Sequence, residues 1–352
     1  MHKCVNQSKT AQIDLLNFVA KSGRSILGAF EHLGHRDPKA DGYYKALEET
    51  YGFSPAMYST YYPYDRAALH FNYEEANRRI EAHYKDGALC MVHSQNSWGR
   101  FLIEDFKDEE DPVDFLRNFD AENPNRNMKV YERYLLHQKN WGDALEDLKN
   151  REVTVFYRPF VEMTNRYHPE CYTRTESGFE HFKNIWRQHY DYIVNERGLD
   201  NIIWCFAPQA PGGAKHGLAY YPGNDYVDVI GFTLYSQGNS NGERSIAREL
   251  ELWDFSGYFE LGKPVGFSEL GVNEGGTSVE PGDFANLLYY LKKAFKRKIS
   301  FCCMWSVEQG LLCEKNLHAE EFIKDGFFIN LKELCSTEPS KSRIDGRLEV
   351  TP

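Results

Sequence analysis

Long apolar runs are missing from this 352-residue chain, so no segment is fit to span a bilayer. Residues 1–7 lack the charged-then-apolar pattern of an export signal. A cytoplasmic place is therefore expected for the chain as written, and a secreted or periplasmic one if a leader has been removed. An excess of positive charge is also missing. The formal net charge is −11, which argues against a nucleic acid or an anionic membrane as partner and suits a neutral glycan. The eight cysteines include no C-x-x-C pair and no Cys/His cluster at zinc spacing, so neither a disulfide scaffold nor a structural metal is expected. Cys90, Cys205, Cys302 and Cys303 sit in apolar runs, where a thiol behaves as a small hydrophobe. No H-E-x-x-H, G-x-S-x-G or P-loop occurs, and no G-x-G-x-x-G follows the first strand-like run.

What is present is a strand and helix rhythm. Eight short, near-continuously apolar runs read as parallel strands covered on both faces: 25–31, 55–62, 88–94, 153–163, 201–208, 227–235, 264–270 and 300–306. Segments of helical period separate most of them: 73–85, 131–150, 178–196, 245–259, 281–298 and 320–334. Gly198 reads as a helix stop and Pro281 as a first-turn residue. This alternation predicts a single-domain (β/α)8 TIM barrel over residues 1–335, followed by a polar tail at 336–352. A doubly wound open sheet is the alternative. Residues 95–129, with an acidic stretch, are expected to form a long solvated loop.

In a barrel the reacting groups gather at the C-terminal strand ends. The residues there are His93, Arg158, Glu162, Tyr235, Glu269 and Trp305. Two carboxylates on one rim are the minimum equipment for cutting a glycosidic bond, one as proton donor and one as nucleophile or base. Glu162 follows Phe160 and Val161, so burial is expected to raise its pKa; Glu269, beside Ser268, is expected to stay ionised. Arg158 is expected either to orient a catalytic carboxylate or to pair with Asp228. Tyr235 can donate to Glu269. Trp305 can form an apolar floor beneath a sugar, and Trp98 and Tyr167 are further candidate sugar platforms. Loop tyrosines within 58–64 offer more rings.

The blocks around 157–163, 202–208, 220–231 and 263–271 resemble glycoside hydrolase family 26, a family of retaining (β/α)8 barrels. The resemblance covers nearly the whole chain, from about Ala11 to Phe328. It implies Glu162 as acid/base, Glu269 as nucleophile, Tyr235 beside the nucleophile, and His93 and Trp305 around the reacting sugar. It also implies retention, with the two carboxyl groups about 5–5.5 Å apart. The implied substrate is a β-linked polysaccharide or oligosaccharide, most simply β-1,4-mannan, cut by a monomer without cofactor. β-1,3-Xylan and mixed-linkage β-glucan are the alternatives within the family, and a carbohydrate-binding barrel with weakened catalysis is the alternative outside it. One departure stands out: the family usually places His before the acid/base glutamate, and this chain has Val161. The stretch 165–168 departs too, and Arg166 there could meet an acidic sugar.

Overall fold

A computed structural model describes residues 8–34, 38–94, 97–110, 112–165, 168, 171–210, 216–235, 254–272, 282–306 and 310–336. Tyr167, Arg166, Pro281, residues 245–253 and the tail beyond Ser336 lie outside the described residues. Eight parallel strands follow one another around a closed sheet: β1 (Ser25–Phe30), β2 (Met57–Tyr62), β3 (Leu89–Ser94), β4 (Val155–Arg158), β5 (Ile202–Phe206), β6 (Val229–Tyr235), β7 (Val265–Gly271) and β8 (Ile299–Met304). β8 pairs back onto β1, as in Ile26↔Phe301, which closes the barrel and removes the open-sheet alternative.

Alternation along the strands sorts the side chains. Ile26, Met57, Met91, Phe156, Ile203, Val229 and Phe301 fill the barrel, and Leu16 and Val19 of the first helix (Lys9–Ser22) pack against them from below. Strand residues of the other phase, such as Tyr157, Trp204, Phe232 and Phe267, face the helical layer. Each such burial contributes roughly 1.5–3 kcal/mol. Helices Glu74–Lys85, Met128–Asn150, Glu176–Asp191 and Phe284–Phe295 form that layer. Thr175 caps its helix by accepting from the Gly178 amide at 3.0 Å, and Gly198 has the left-handed φ of +68° that a helix stop uses.

Three expectations need correction. The run 153–163 is not one strand: β4 ends at Arg158, because Pro159 has no N–H to extend the ladder. Residues 95–129 are not mainly a solvated loop. They hold a helix (Ser97–Phe106) and a 3-10 turn (Pro112–Phe119) whose Phe115, Leu116 and Phe119 are buried. Within the acidic stretch, Glu110 accepts from Arg117 and Asn118. The helix expected at 320–334 is broken into Ala319–Ile323 and Leu331–Ser336, with a short strand, Phe328–Ile329, joining the sheet beside β1 between them.

Candidate active site

The inward-facing positions at the C-terminal strand ends form one ring. Register places Tyr61 beside His93 and His93 beside Arg158. On the other side Thr233 pairs with Glu269. The pairing of β6 with β7 slips between Phe232 and Thr233: Phe232 opposes Phe267, yet Thr233 opposes Glu269. Ser268 is thus an extra residue, a β-bulge of the kind that re-aims side chains beside sites. The Ser268 hydroxyl donates to the Gly231 carbonyl at 2.6 Å. Gly231 is required here by space, since a Cβ would lie 2.8 Å from both Cys205 Sγ and Ser268 Cβ.

Glu269 is buried, and two donors hold it. Arg158 Nη2 donates to Oε1 at 2.6 Å and Tyr235 Oη donates to Oε2 at 2.9 Å. Arg158 therefore pairs with Glu269 and not with Asp228. Asp228 instead takes Lys9 at 2.7 Å and the Trp204 amide at 2.8 Å.

Glu162 lies past the end of β4, in a turn. Its amide donates to the Ala207 carbonyl at 2.8 Å, which ties it to the end of β5. Its φ is +53°, a left-handed conformation uncommon for a residue with a Cβ. Two side chains reach the same carboxyl oxygen, Oε2: Asn165 Nδ2 at 3.0 Å and His168 Nε2 at 2.9 Å.

The electrostatics reverse the sequence expectation. Burial does push Glu162 upward, but the hydrogen bond and charge of His168, the Asn165 bond and the Arg158 charge together bring it below the ordinary carboxylate range. Burial lifts Glu269 above that range, against Arg158 and Tyr235, and the negative charge of Glu162 adds to the rise. Glu269 thus lies within the field of Glu162. The directions are the reverse of those expected because His168, six residues along the chain, is a partner of Glu162 that its sequence neighbours do not show.

Trp305, half-buried, stacks on Phe30 with ring centroids 4.2 Å apart and meets Tyr235 edge-on at 6.1 Å. His93, buried, tilts against Phe30 at 5.1 Å. Tyr61, one of the tyrosines within 58–64, and His32, which was not among the expected site residues, complete this wall. His32 meets Trp305 edge-on at 4.5 Å, its Nδ1 lies 2.5 Å from Ser306 Oγ, and Tyr61 stacks on Phe30 at 6.0 Å. Strand alternation could have found both: His32 is in phase with Phe30, and Tyr61 with Ser59. An apolar wall beside paired carboxyls suits the apolar face of a sugar ring. Trp98 does not belong to this group. It is only 3% exposed, buried against Phe119 and His137, because the segment after β3 folds back as a helix. Tyr167 is not among the described residues. Burial pushes the thiols of Cys205, Cys302 and Cys303 up to about 12, which makes them poor nucleophiles at neutral pH.

Residues 72–251, about half of the chain, match the model of the family described as glycosyl hydrolase family 26. Two bacterial relatives are each 27% identical over 200 residues, 55% of this chain. They are the mannan endo-1,4-beta-mannosidase A and B of Caldalkalibacillus mannanilyticus and the mannan endo-1,4-beta-mannosidase of Bacillus subtilis strain 168. The matched stretch spans 35% and 49% of those proteins. The fold is similar to that of a solved Bacillus subtilis mannanase, with a TM-score of 0.67 and 19% identity over 94% of this chain and 95% of the other.

Proposed function

Since the chain belongs to glycosyl hydrolase family 26, we propose that it is a retaining glycoside hydrolase that cleaves β-1,4-mannan by double displacement, acting as a monomer without cofactor. The observation that carries this reading is the pair of buried carboxyls on one rim. Glu269 is gripped by Arg158 and Tyr235, and Glu162 lies within its field. The names of the relatives support mannan as the glycan.

In the proposed first step, Glu162 gives its proton to the glycosidic oxygen as the C–O bond breaks. Glu269 attacks the anomeric carbon from the opposite face and forms a glycosyl ester. In the second, Glu162, now a carboxylate, takes a proton from water. The water oxygen bonds the anomeric carbon, and Glu269 leaves as the carboxylate it was. Arg158 and Tyr235 both favour the anion that Glu269 needs for attack. Trp305, with Phe30 and His32 behind it, offers the ring beneath the sugar, and His93 lies at the same rim. Retention goes with carboxyl groups about 5–5.5 Å apart, which leaves no room for a water between Glu269 and the sugar.

A panel of β-mannans, β-1,3-xylans and mixed-linkage β-glucans tests the proposal, with the Glu162→Gln and Glu269→Gln variants alongside. Mannan should be cut by the natural chain and by neither variant, while both variants still bind it. Proton NMR of fresh products should show the β anomer first. Initial release of the α anomer would overturn double displacement. Binding without cleavage of any glycan would favour a carbohydrate-binding barrel instead.

A further inference from the structure

The partners that reach Glu162 through Oε2 come from the chain just after it. Asn165 N donates to the Glu162 carbonyl at 2.7 Å, and His168 N donates to the Asn165 carbonyl at 2.9 Å. The His168 carbonyl in turn accepts from the amides of Cys171 and Tyr172 at 3.1 and 2.9 Å. These successive backbone bonds fix the imidazole rather than leave it on a free loop, and only 4% of His168 is exposed. Val161, immediately before Glu162, carries no polar atom. The polar company of this acid therefore arrives from three and six residues downstream.

We infer that His168 is the positioning residue of Glu162: its imidazole holds Oε2, leaves Oε1 to face the leaving group, and makes the two groups gain and lose protons as a unit. The inference rests on the reading of Glu162 as acid/base. Among the described residues, charged and titratable groups on three strands face the pair. They are Arg158 from β4, Tyr235 from β6 and Glu269 from β7, all within the field of Glu162, while the Cys171 thiol lies 3.5 Å from the His168 carbonyl. Arg158 is already held by Glu269. Among the described residues, His168 is thus the cation-forming group hydrogen-bonded to Glu162, and its effect is to lower the carboxyl against burial. The effect is mutual, since an ionised Glu162 must stabilise the imidazolium by the same coupling. The last proton to leave the pair then leaves from the imidazolium, at a higher pH than Glu162 would lose it alone. Glu162 therefore remains within reach of a proton at pH values where an unassisted carboxyl would have none.

Two measurements test this. NMR titration of histidine rings in isotope-labelled protein, with His168 assigned by the loss of its signal in His168→Gln, needs no substrate. The His168 midpoint should fall by about one pH unit or more in Glu162→Gln. An unchanged midpoint overturns the inference whether or not a glycan is cleaved. On a cleaved glycan, His168→Gln should move the alkaline limb of kcat/KM to lower pH by a similar amount. A merely structural histidine would lower kcat and leave that limb in place, and this result too would overturn the inference. Loss of all hydrolysis by the natural chain would refute the proposed function but not the pairing.

Discussion

The guanidinium of Arg158 meets the carboxyl of Glu269 at 2.6 Å inside the barrel, with none of the arginine side chain exposed. A charge buried this way depends on its partner. Arg158→Met would leave buried Glu269 without its cation, with Tyr235 still donating to it, and removing one member of a buried pair costs about 3–5 kcal/mol. Urea unfolding should show that loss, together with a collapse of hydrolysis. Arg158→Lys keeps the charge but not the planar fork, so it should recover stability in part and activity poorly. Wild-type unfolding in Arg158→Met would mean the pair contributes little.

Tyr235 supplies the other bond to Glu269, at 2.9 Å. Tyr235→Phe removes the donor and keeps the ring. A hydrogen bond to a charged group is worth about 1.5–3 kcal/mol, so kcat should drop roughly 10- to 100-fold with a smaller change in KM. The carboxyl, already lifted by burial, should rise further, and the acid limb of the pH profile should move to higher pH. An acid limb that stays put would separate Tyr235 from the ionisation of Glu269.

Gly231→Ala probes the bulge. A methyl group there would press on Cys205 Sγ and Ser268 Cβ at 2.8 Å. Overpacking of this kind costs about 1–3 kcal/mol, and the push on Ser268 passes directly to Glu269. Thermal denaturation should show a lowered Tm, and activity should fall more than stability alone explains. A variant as stable and active as the parent would show that β7 gives way freely.

Acid should destabilise the fold through two buried histidines. Burial depresses His137 and His189 to about 3 in the folded chain, while an unfolded histidine titrates near ~6.5. The unfolded chain therefore binds more protons between these values, so stability is full above pH ~6.5 and is lost as pH falls toward about 3. Each histidine contributes a slope of roughly 1.4 kcal/mol per pH unit in that window. His189 Nε2 lies 2.8 Å from Tyr157 Oη. In His189→Gln, denaturant midpoints measured from pH 7 to 4 should fall less steeply by one such slope. An unchanged slope would count against the buried neutral ring.

The barrel was legible because parallel strands buried on both faces leave near-continuous apolar runs, and each of the eight runs holds one barrel strand. The two acids, Arg158, Tyr235 and Trp305 were legible as strand-end residues, and they do gather on one rim. Other features obeyed rules that composition and period do not carry. Pro159 ended β4 early, so the apolar run 153–163 continues past its strand. The Ser268 bulge and the left-handed turn at Glu162 are backbone events without a side-chain period. His168 lies in a stretch that reads as plain loop, and only the turn's successive hydrogen bonds bring it to Glu162. Trp98 misled because a tryptophan after a strand looks like a platform until the following helix buries it.

The left-handed turn at Glu162 sets function against robustness. A backbone held at φ +53° with a Cβ costs roughly 1–3 kcal/mol, and a carboxyl shut away from water adds to that. Glycine at this position would relieve both. A population of variants selected only for surviving heat would therefore be drawn toward Glu162→Gly and would shed its proposed acid along the way. A glutamate at so strained a place is what selection for chemistry, and not for stability alone, would leave.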